Sequence, residues 1–528
     1  MEAILNWEYM PIVPPLITLI LVLATRKVVL SLGIGIILSA IVVGNGQFGE
    51  TLSLLWQGFA AIFVDSGSIN TWEAFILIFL VLLGIMTAFI NMSGGALQFS
   101  NWVVSKVKTR RQSKLVAGIL GIIIFIDDYF SALMVGQVSK PLTDEHKVSR
   151  AKLAYIVDAT ASPVSVIAPI SSWGAGIMAL TAPLLVAASI ETSAFMAFIE
   201  MIPMNLYVVA ALALMFIVII FNINIGPMRT HEERAMQEGI LFDADKEIPG
   251  EMNDDLPLHK EGSPMALIMP LFALIVTVFV MMYATGVYEG GSYSLFSAFE
   301  NTLVTHSLVV GGIVGLLVSL FYYFSYTGSK QEFGAKTFGL GIVNGFKAMM
   351  PAIIILTLAW MIGSLISSLG TGELLGHWVE TSNLPIALIP AIVFIVACIM
   401  SLATGTSWGS FGILIPIAGE IIIALNSPEL LLITIAAVLA GSVFGDHCSP
   451  ISDSTILAST GSGSNHIDHV MTQIPYAVIA ACIALVGFIV LGYTTNVLLG
   501  LLTVTVLLVA VTVVARFIKS SKTNTVTS

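Results

Sequence analysis

Residues 445–459 read GDHCSPISDSTILAS, which puts two carboxylates, an imidazole and a row of hydroxyls into an otherwise apolar stretch. Asp446 and Asp453 are seven residues, two helical turns, apart, so an unbroken helix would carry both on one face. Pro450 lies between them. It removes an amide donor and clashes with the carbonyl four residues back, which frees carbonyls around Asp446 and His447. Freed carbonyls, a carboxylate and the hydroxyls of Ser449, Ser452, Ser454 and Thr455 are hard oxygen ligands, suited to Na+ rather than to a soft metal. Na+ therefore fits at Asp446, Ser449 and Ser452. Zinc does not, because Asp446, His447 and Cys448 are consecutive and cannot converge on one ion from regular backbone. Desolvation disfavours the charged form of a carboxylate, so a half-dry one holds either a proton or a cation. That competition is a mechanism of exchange.

Other polar residues interrupt apolar runs in the same way. Asp127 and Asp128 sit midway along LVAGILGIIIFIDDYFSALMVGQVS; neighbours on a helix point about 100° apart, so at most one of the two faces a cavity. Asp158 precedes a Ser-Pro step that contains Ser162 and Ser165. These residues join Asp446, Asp453, Ser449 and Ser452 as candidate cation and proton ligands. Thr404, Thr406, Ser407 and Trp408 in ATGTSWGSFG, with Ser171 and Trp173 in SSWGAG, are candidates for solute binding or gating, as is His447, the one histidine that the expected spans place within the membrane. Tryptophans at such places are more often packing or interface anchors than substrate contacts.

These groups need elements that hold them. Of 528 residues, 57% are hydrophobic and 10% charged, against roughly 25% charged in soluble domains. Apolar runs long enough for a helix of about 20 residues recur along the chain. The chain reads as an all-α polytopic membrane protein whose partner is the lipid bilayer. The N-terminal stretch has no basic region before its first apolar run and does not read as a cleaved signal. Cys398, Cys448 and Cys482 show no paired spacing and read as small core residues. No cofactor fingerprint, nucleophile elbow or nucleic-acid motif occurs, which leaves an enzyme or nucleic-acid binder without support.

Lys and Arg come in clusters separated by long gaps, and cytoplasmic loops are the ones that collect them. This map predicts about eleven crossings, with the N-terminus outside and the C-terminus cytoplasmic. Two re-entrant hairpins complete it, near 115–139 and 385–425. Ser162-Pro163-Val164-Ser165 matches Ser449-Pro450-Ile451-Ser452, and each is followed by an Ile-Pro step. Five crossings and a hairpin per half, an odd number of crossings, make the two halves inverted repeats, the architecture of secondary transporters. The expected units are 1–222, with a broken helix near 151–188, and 264–495, with a broken helix near 430–459. Between them lies an acidic, solvated cytoplasmic connector, 223–263. An extra helix and tail, 496–528, follow. A homodimer suits such a moving bundle, although the sequence names no face for one.

GDHCSPISDSTILAS, with ATGTSWGSFGILIPIA upstream and IDDYFSALMVG and DATASPVSVIAPISSWGAG in the first half, resembles the NhaC-type sodium/proton antiporter family of the ion transporter superfamily. The resemblance implies a proton-driven exchanger of the prokaryotic cytoplasmic membrane, working by alternating access on Na+ and H+. Families of this type also include carriers of small organic acids and amino acids, so a Na+- or H+-coupled organic solute is the alternative. The absence of Lys and Arg from 348 to 515 disfavours a dicarboxylate, which wants a cationic partner.

Overall fold

Apolar runs of this length wind into helices because, in lipid, each backbone polar group must be satisfied within its own segment or a closed sheet. The computed structural model describes residues 7–526 apart from 8, 26, 66, 105–106, 126–127, 170, 244, 248–256, 329, 371–373 and 375–384. The chain opens with helices α1 (Val13–Thr25), α2 (Val28–Val43) and α3 (Phe48–Ala61), then a pair of two-residue strands, β1 (Val64–Asp65) and β2 (Ser68–Ile69). Helices α4 (Glu73–Met92), α5 (Gly95–Val104), α6 (Arg110–Ile123) and α7 (Asp128–Glu145) follow, then the short α8 (Arg150–Asp158) and α9 (Ser162–Ser165). Next come α10 (Ser172–Ala187), α11 (Ala194–Met201), α12 (Leu206–Phe221) and α13 (Pro227–Gln237). The remainder comprises α14 (Met265–Gly290), α15 (Leu295–Glu300), α16 (Val304–Thr327), α17 (Ala335–Ser368), α18 (Ile389–Thr404) and α19 (Ser407–Ala424). It ends with α20 (Leu431–Cys448), α21 (Asp453–Ser462), α22 (His466–Thr494) and α23 (Val497–Val526).

Among the described residues, eight helices are long and apolar enough to cross a membrane, or nine if α11 and α12, bent by 49°, count as one span. The fold is therefore all-α and polytopic. Both limbs of the expected second hairpin, 386–404 and 407–424, are among the eight.

Capping explains where the interrupted helices restart. Ser171 accepts from the Gly174 amide to open α10, Ser452 from Thr455 to open α21, and Asn465 from Asp468 to open α22. Each side-chain oxygen satisfies an amide that a helix start leaves orphaned. Capping by Asn465 starts α22 at His466, and His466 and His469 lie in the protein interior. Both belong to a helix long and apolar enough to cross a membrane, so His447 does not stand alone among histidines of candidate spans. Helix α3 was not among the expected spans. It exposes Phe48, Leu52, Trp56 and Phe59, a spacing that gathers them on one face and suits the water–lipid boundary.

Small residues let the helices that carry the polar breaks approach closely. A Cβ at Gly445 would lie 2.5 Å from the Cys398 carbonyl, which fixes α20 against α18. One at Gly136 would lie 2.5 Å from the Gly461 backbone, and one at Gly461 would lie 2.6 Å from the Ala132 carbonyl, so α7 and α21 cross almost backbone to backbone. A Gly136→Val substitution should force this crossing apart, at a cost of about 1–3 kcal/mol. A lowered unfolding temperature in detergent is the expected result.

The connector corrects the expectation of a solvated segment. Helix α13 packs against α8 and α22, and Glu232 is fully buried. Its Oε1 lies 2.8 Å from Arg110 and accepts from the Ser149 amide at 2.9 Å and the Ser149 hydroxyl at 3.0 Å. The acid is tolerated inside because these partners are there. Further on, Asp243 meets Arg234 and Lys246 at 3.0 Å each, and Lys246 reaches Asp468 at 2.7 Å. The Arg234 hydrogen bond, then that from Lys246, holds the Asp243 carboxyl below the ordinary aspartate value. A depressed native value stabilises the fold above the unfolded value of about 3.9, and that contribution is lost as pH falls through the native one. The pairs are half-exposed and screened, so the effect is local and modest. A spin label on Ile240→Cys should gain mobility below about pH 4, and Asp243→Asn should remove that response.

Candidate functional site

Asp446 lies in the last turn of α20, whose helix ends where Ser449 turns extended ahead of Pro450. Three hydroxyls converge on its carboxylate. Ser407, at the start of α19, donates to Oδ2 at 2.7 Å; Ser452 donates to Oδ1, and Ser454 reaches the same oxygen at 3.3 Å. The turn between α18 and α19 brings Ser407 there. It passes through Gly405 in the left-handed region (φ +72°), where a Cβ would lie 2.6 Å from the Ile451 carbonyl. Only glycine both takes that conformation freely and leaves room for the break.

Asp453, in the first turn of α21, accepts from the Tyr129 hydroxyl and, at 2.8 Å, the Ser454 amide. Asp446 and Asp453 are 2% and 6% exposed. Among the described residues neither has a Lys, Arg or His within ion-pair distance. All their named donors are neutral. A buried carboxylate without a cation is costly to keep charged, so such a centre is stable when protonated or when it holds a cation.

The first half supplies two more buried acids. Asp128 accepts from the Trp173 indole at 2.9 Å and from Ser162 at 3.2 Å. Asp127 lies outside the described residues. Asp158, at the end of α8, accepts from Gln473 at 2.5 Å and approaches His469 Nε2 at 3.2 Å, with Thr455 at 3.5 Å and His447 Nε2 at 3.9 Å. His447 Nδ1 is 2.8 Å from the Tyr207 hydroxyl. The two halves therefore meet at polar contacts: Tyr129 with Asp453, and Asp158 with Thr455, His469 and Gln473.

Two cavities lie along α7 and α21. One of about 650 Å3 reaches Tyr129 and Asp453 at the helix starts, and is also lined by Trp360, Thr404, Thr406 and Trp408. The other, about 480 Å3, reaches Gln137, Lys140, Asp144, Thr460 and Gly461 toward the helix ends. The close glycine crossing, through Gly461, borders the second cavity.

The expected residues divide accordingly. Asp446, Ser452 and Ser407 form one centre, with Asp453 beside it. The Ser449 hydroxyl instead donates to the Leu402 carbonyl at 2.8 Å, so its side chain ties α20 to the hairpin turn and does not face Asp446. Ser165 donates to the Phe125 carbonyl at 3.3 Å, and Ser171 to the Ser165 and Ala168 carbonyls at 2.8 Å. Trp173 packs edge-on against Trp408 at 5.7 Å. Tyr129, Tyr207, His469 and Gln473 were not anticipated. His469 and Gln473 stand four residues apart, on one face of a helix, a spacing that could have signalled them.

A polytopic helix bundle with buried acids at helix breaks, and with cavities along the helices that carry them, has the construction of a membrane transporter. Comparison with known proteins gives the family. The profile of the Na+/H+ antiporter family matches residues 164–493. A protein of Haemophilus influenzae with no assigned activity is 39% identical over 505 residues, 95% of this chain and 94% of its own. The malate-2H+/Na+-lactate antiporter of Bacillus subtilis is 30% identical over 41% of this chain and 44% of its own. An uncharacterized Na+/H+ antiporter of Haemophilus influenzae is 37% identical over 26% of this chain and 30% of its own. The chain belongs to the Na+/H+ antiporter family. It is a secondary active transporter, not an enzyme, and a multi-pass membrane protein.

Proposed function

We propose that this transporter exchanges Na+ for H+ at the Asp446–Asp453 centre. The observation that carries the reading is the pair of buried carboxylates held by neutral donors, with no cationic side chain among the described residues within ion-pair distance. Ser407, Ser452 and Ser454 orient Asp446 for a hard cation, and the freed carbonyls of the Pro450 break supply further oxygens. A bound Na+ replaces the proton, so each displaces the other. Alternating access then exposes the centre to one side at a time. The close α7–α21 crossing, which borders the second cavity, is the natural barrier in the present state.

The finer architecture belongs to the same proposal. Eleven crossings in two inverted repeats, 1–222 and 264–495, are supported by the matched Ser-Pro steps and by the clustering of Lys and Arg. With hairpins near 115–139 and 385–425, the same map puts the N-terminus outside and the C-terminus in the cytoplasm of a prokaryote, across its cytoplasmic membrane. The cavity of about 650 Å3 is far larger than a bare ion needs, which favours a second reading, an organic solute coupled to the same ions. The Bacillus subtilis relative, named as a malate-2H+/Na+-lactate antiporter, supports that reading.

The test uses purified protein in liposomes with an imposed inside-acid pH gradient and a pH-sensitive dye. Addition of Na+ should collapse the gradient, with Li+ as a smaller substitute and K+ inert. If no cation moves protons, the exchange reading fails.

A further inference from the structure

The cavity above Asp453 has a lining unlike that of a passage for a hydrated ion. Five aromatic side chains face it, those of Trp72, Tyr129, Phe299, Trp360 and Trp408. Among the described residues, its two ionisable groups other than tyrosine are both acidic, Asp453 and Glu73, and no Lys, Arg or His lines it. Exposure falls from one end to the other. Trp72 is 41% exposed and Glu73 half-buried, whereas Tyr129 and Asp453 are 8% and 6% exposed. Glu73 therefore stands at the mouth and Asp453 at the floor, with the rings between them.

Each feature selects for charge and size. About 650 Å3 lies in the range of small-molecule sites, which are mainly apolar with a few placed polar groups. Two acids and no base make the interior attractive to cations and repel carboxylates. Tryptophan and tyrosine faces attract an ammonium group by their quadrupoles, most strongly where water is excluded, and they also cover an apolar body. A hydrated Na+ would gain little from five rings, and an organic anion would find no partner for its charge.

We infer that this cavity binds an organic ammonium compound of amino-acid size, its cationic head at Asp453 and its apolar body among Trp360, Trp408 and Tyr129. The inference rests on the exchange reading only in placing the cavity on the transport route. Binding at Asp453 makes the ammonium a competitor or partner of the ion held by the adjacent Asp446. Glu73 draws the cation to the mouth, and Thr404 and Thr406 offer oxygens to any further polar group.

The experiment is calorimetric titration of the purified full-length protein in detergent with two matched probes, phenethylamine and 3-phenylpropionate. They differ in carrying an ammonium or a carboxylate on the same ring. Phenethylamine should bind and 3-phenylpropionate should not. Trp408→Leu, which stays apolar and removes the π face, should weaken phenethylamine roughly tenfold. Asp453→Asn should weaken it further, with unfolding temperatures confirming that both variants are folded. Equal binding of the two probes, preference for the carboxylate, or no binding of either would overturn the inference, as would an unchanged affinity in folded Trp408→Leu. Na+-induced proton release is measured on the same samples. Proton release without phenethylamine binding sinks this inference alone; phenethylamine binding without proton release sinks the exchange reading and leaves the ammonium site standing.

Discussion

Asp446→Asn should abolish Na+-driven proton movement, by at least about 100-fold, while the protein stays folded. The amide keeps the shape of the side chain and still accepts from Ser407 or Ser452, so the hydrogen-bonded break at Ser449–Ser452 retains its anchor. It cannot carry a proton away, and it offers Na+ no charge. Because the native carboxylate has no cationic neighbour among the described residues, its neutral replacement removes an uncompensated buried charge and strands none. The unfolding temperature in detergent should therefore hold or rise as activity disappears. Serine substitutions nearby should behave differently. Ser452→Ala loses both a donor to Asp446 and the cap of α21, which costs about 1 kcal/mol in stability on the cap alone. An Asp446→Asn protein that still exchanges Na+ for H+ would move the ion centre elsewhere.

The largest expected effect on stability lies outside that centre. Glu232→Ala removes the one carboxylate that accepts from Ser149 and pairs with Arg110, and that also faces Lys114 at 3.9 Å. Breaking a buried pair from one side costs about 3–5 kcal/mol, because the remaining charge has lost its compensation. The Ser149 amide loses its acceptor at the same time, at the start of α8. Thermal unfolding followed by tryptophan fluorescence should show a clear drop, and Glu232→Gln, which keeps one acceptor, a smaller one. A change within about 0.5 kcal/mol, typical of a surface site, would mean that α13 does not hold the bundle as described.

Which of these features the sequence reveals follows from their physics. Asp446, Asp453, Asp128 and Asp158 stand out because an acid in an apolar run is expensive wherever the run goes. Ser407 stands out as a hydroxyl at a Gly-rich turn. Its contact with Asp446, 39 residues on, depends on the close approach of α18 and α20 at Gly445, and no local pattern encodes that. Tyr129, His469 and Gln473 reach partners more than 300 residues away, and their own stretches look unremarkable as strings. Ser449 shows the opposite failure. Its type and place suit a ligand, yet its hydroxyl satisfies the Leu402 carbonyl, because a chain break creates acceptors of its own that compete for nearby donors. The connector misled for a related reason. Its acidic composition matches a solvated segment, and only the fold reveals that Arg110 and Ser149 stand ready for Glu232.

Alternating access also makes a claim on the α7–α21 crossing. The centre must open to each side in turn, and the backbone contact of Gly136 with Gly461 makes α7 and α21 the helices whose movement we expect to accompany exchange. Gly136→Val adds bulk where the helices meet, and its effect on exchange should exceed its effect on stability.

The most direct measurement is proton release by the purified protein in weakly buffered detergent solution, with no membrane and no gradient. Adding Na+ near neutral pH should acidify the solution, K+ should not, and Asp446→Asn should be silent. That result would show that one buried centre holds either ion. Na+ binding without proton release, or release that persists undiminished in folded Asp446→Asn, would contradict the account.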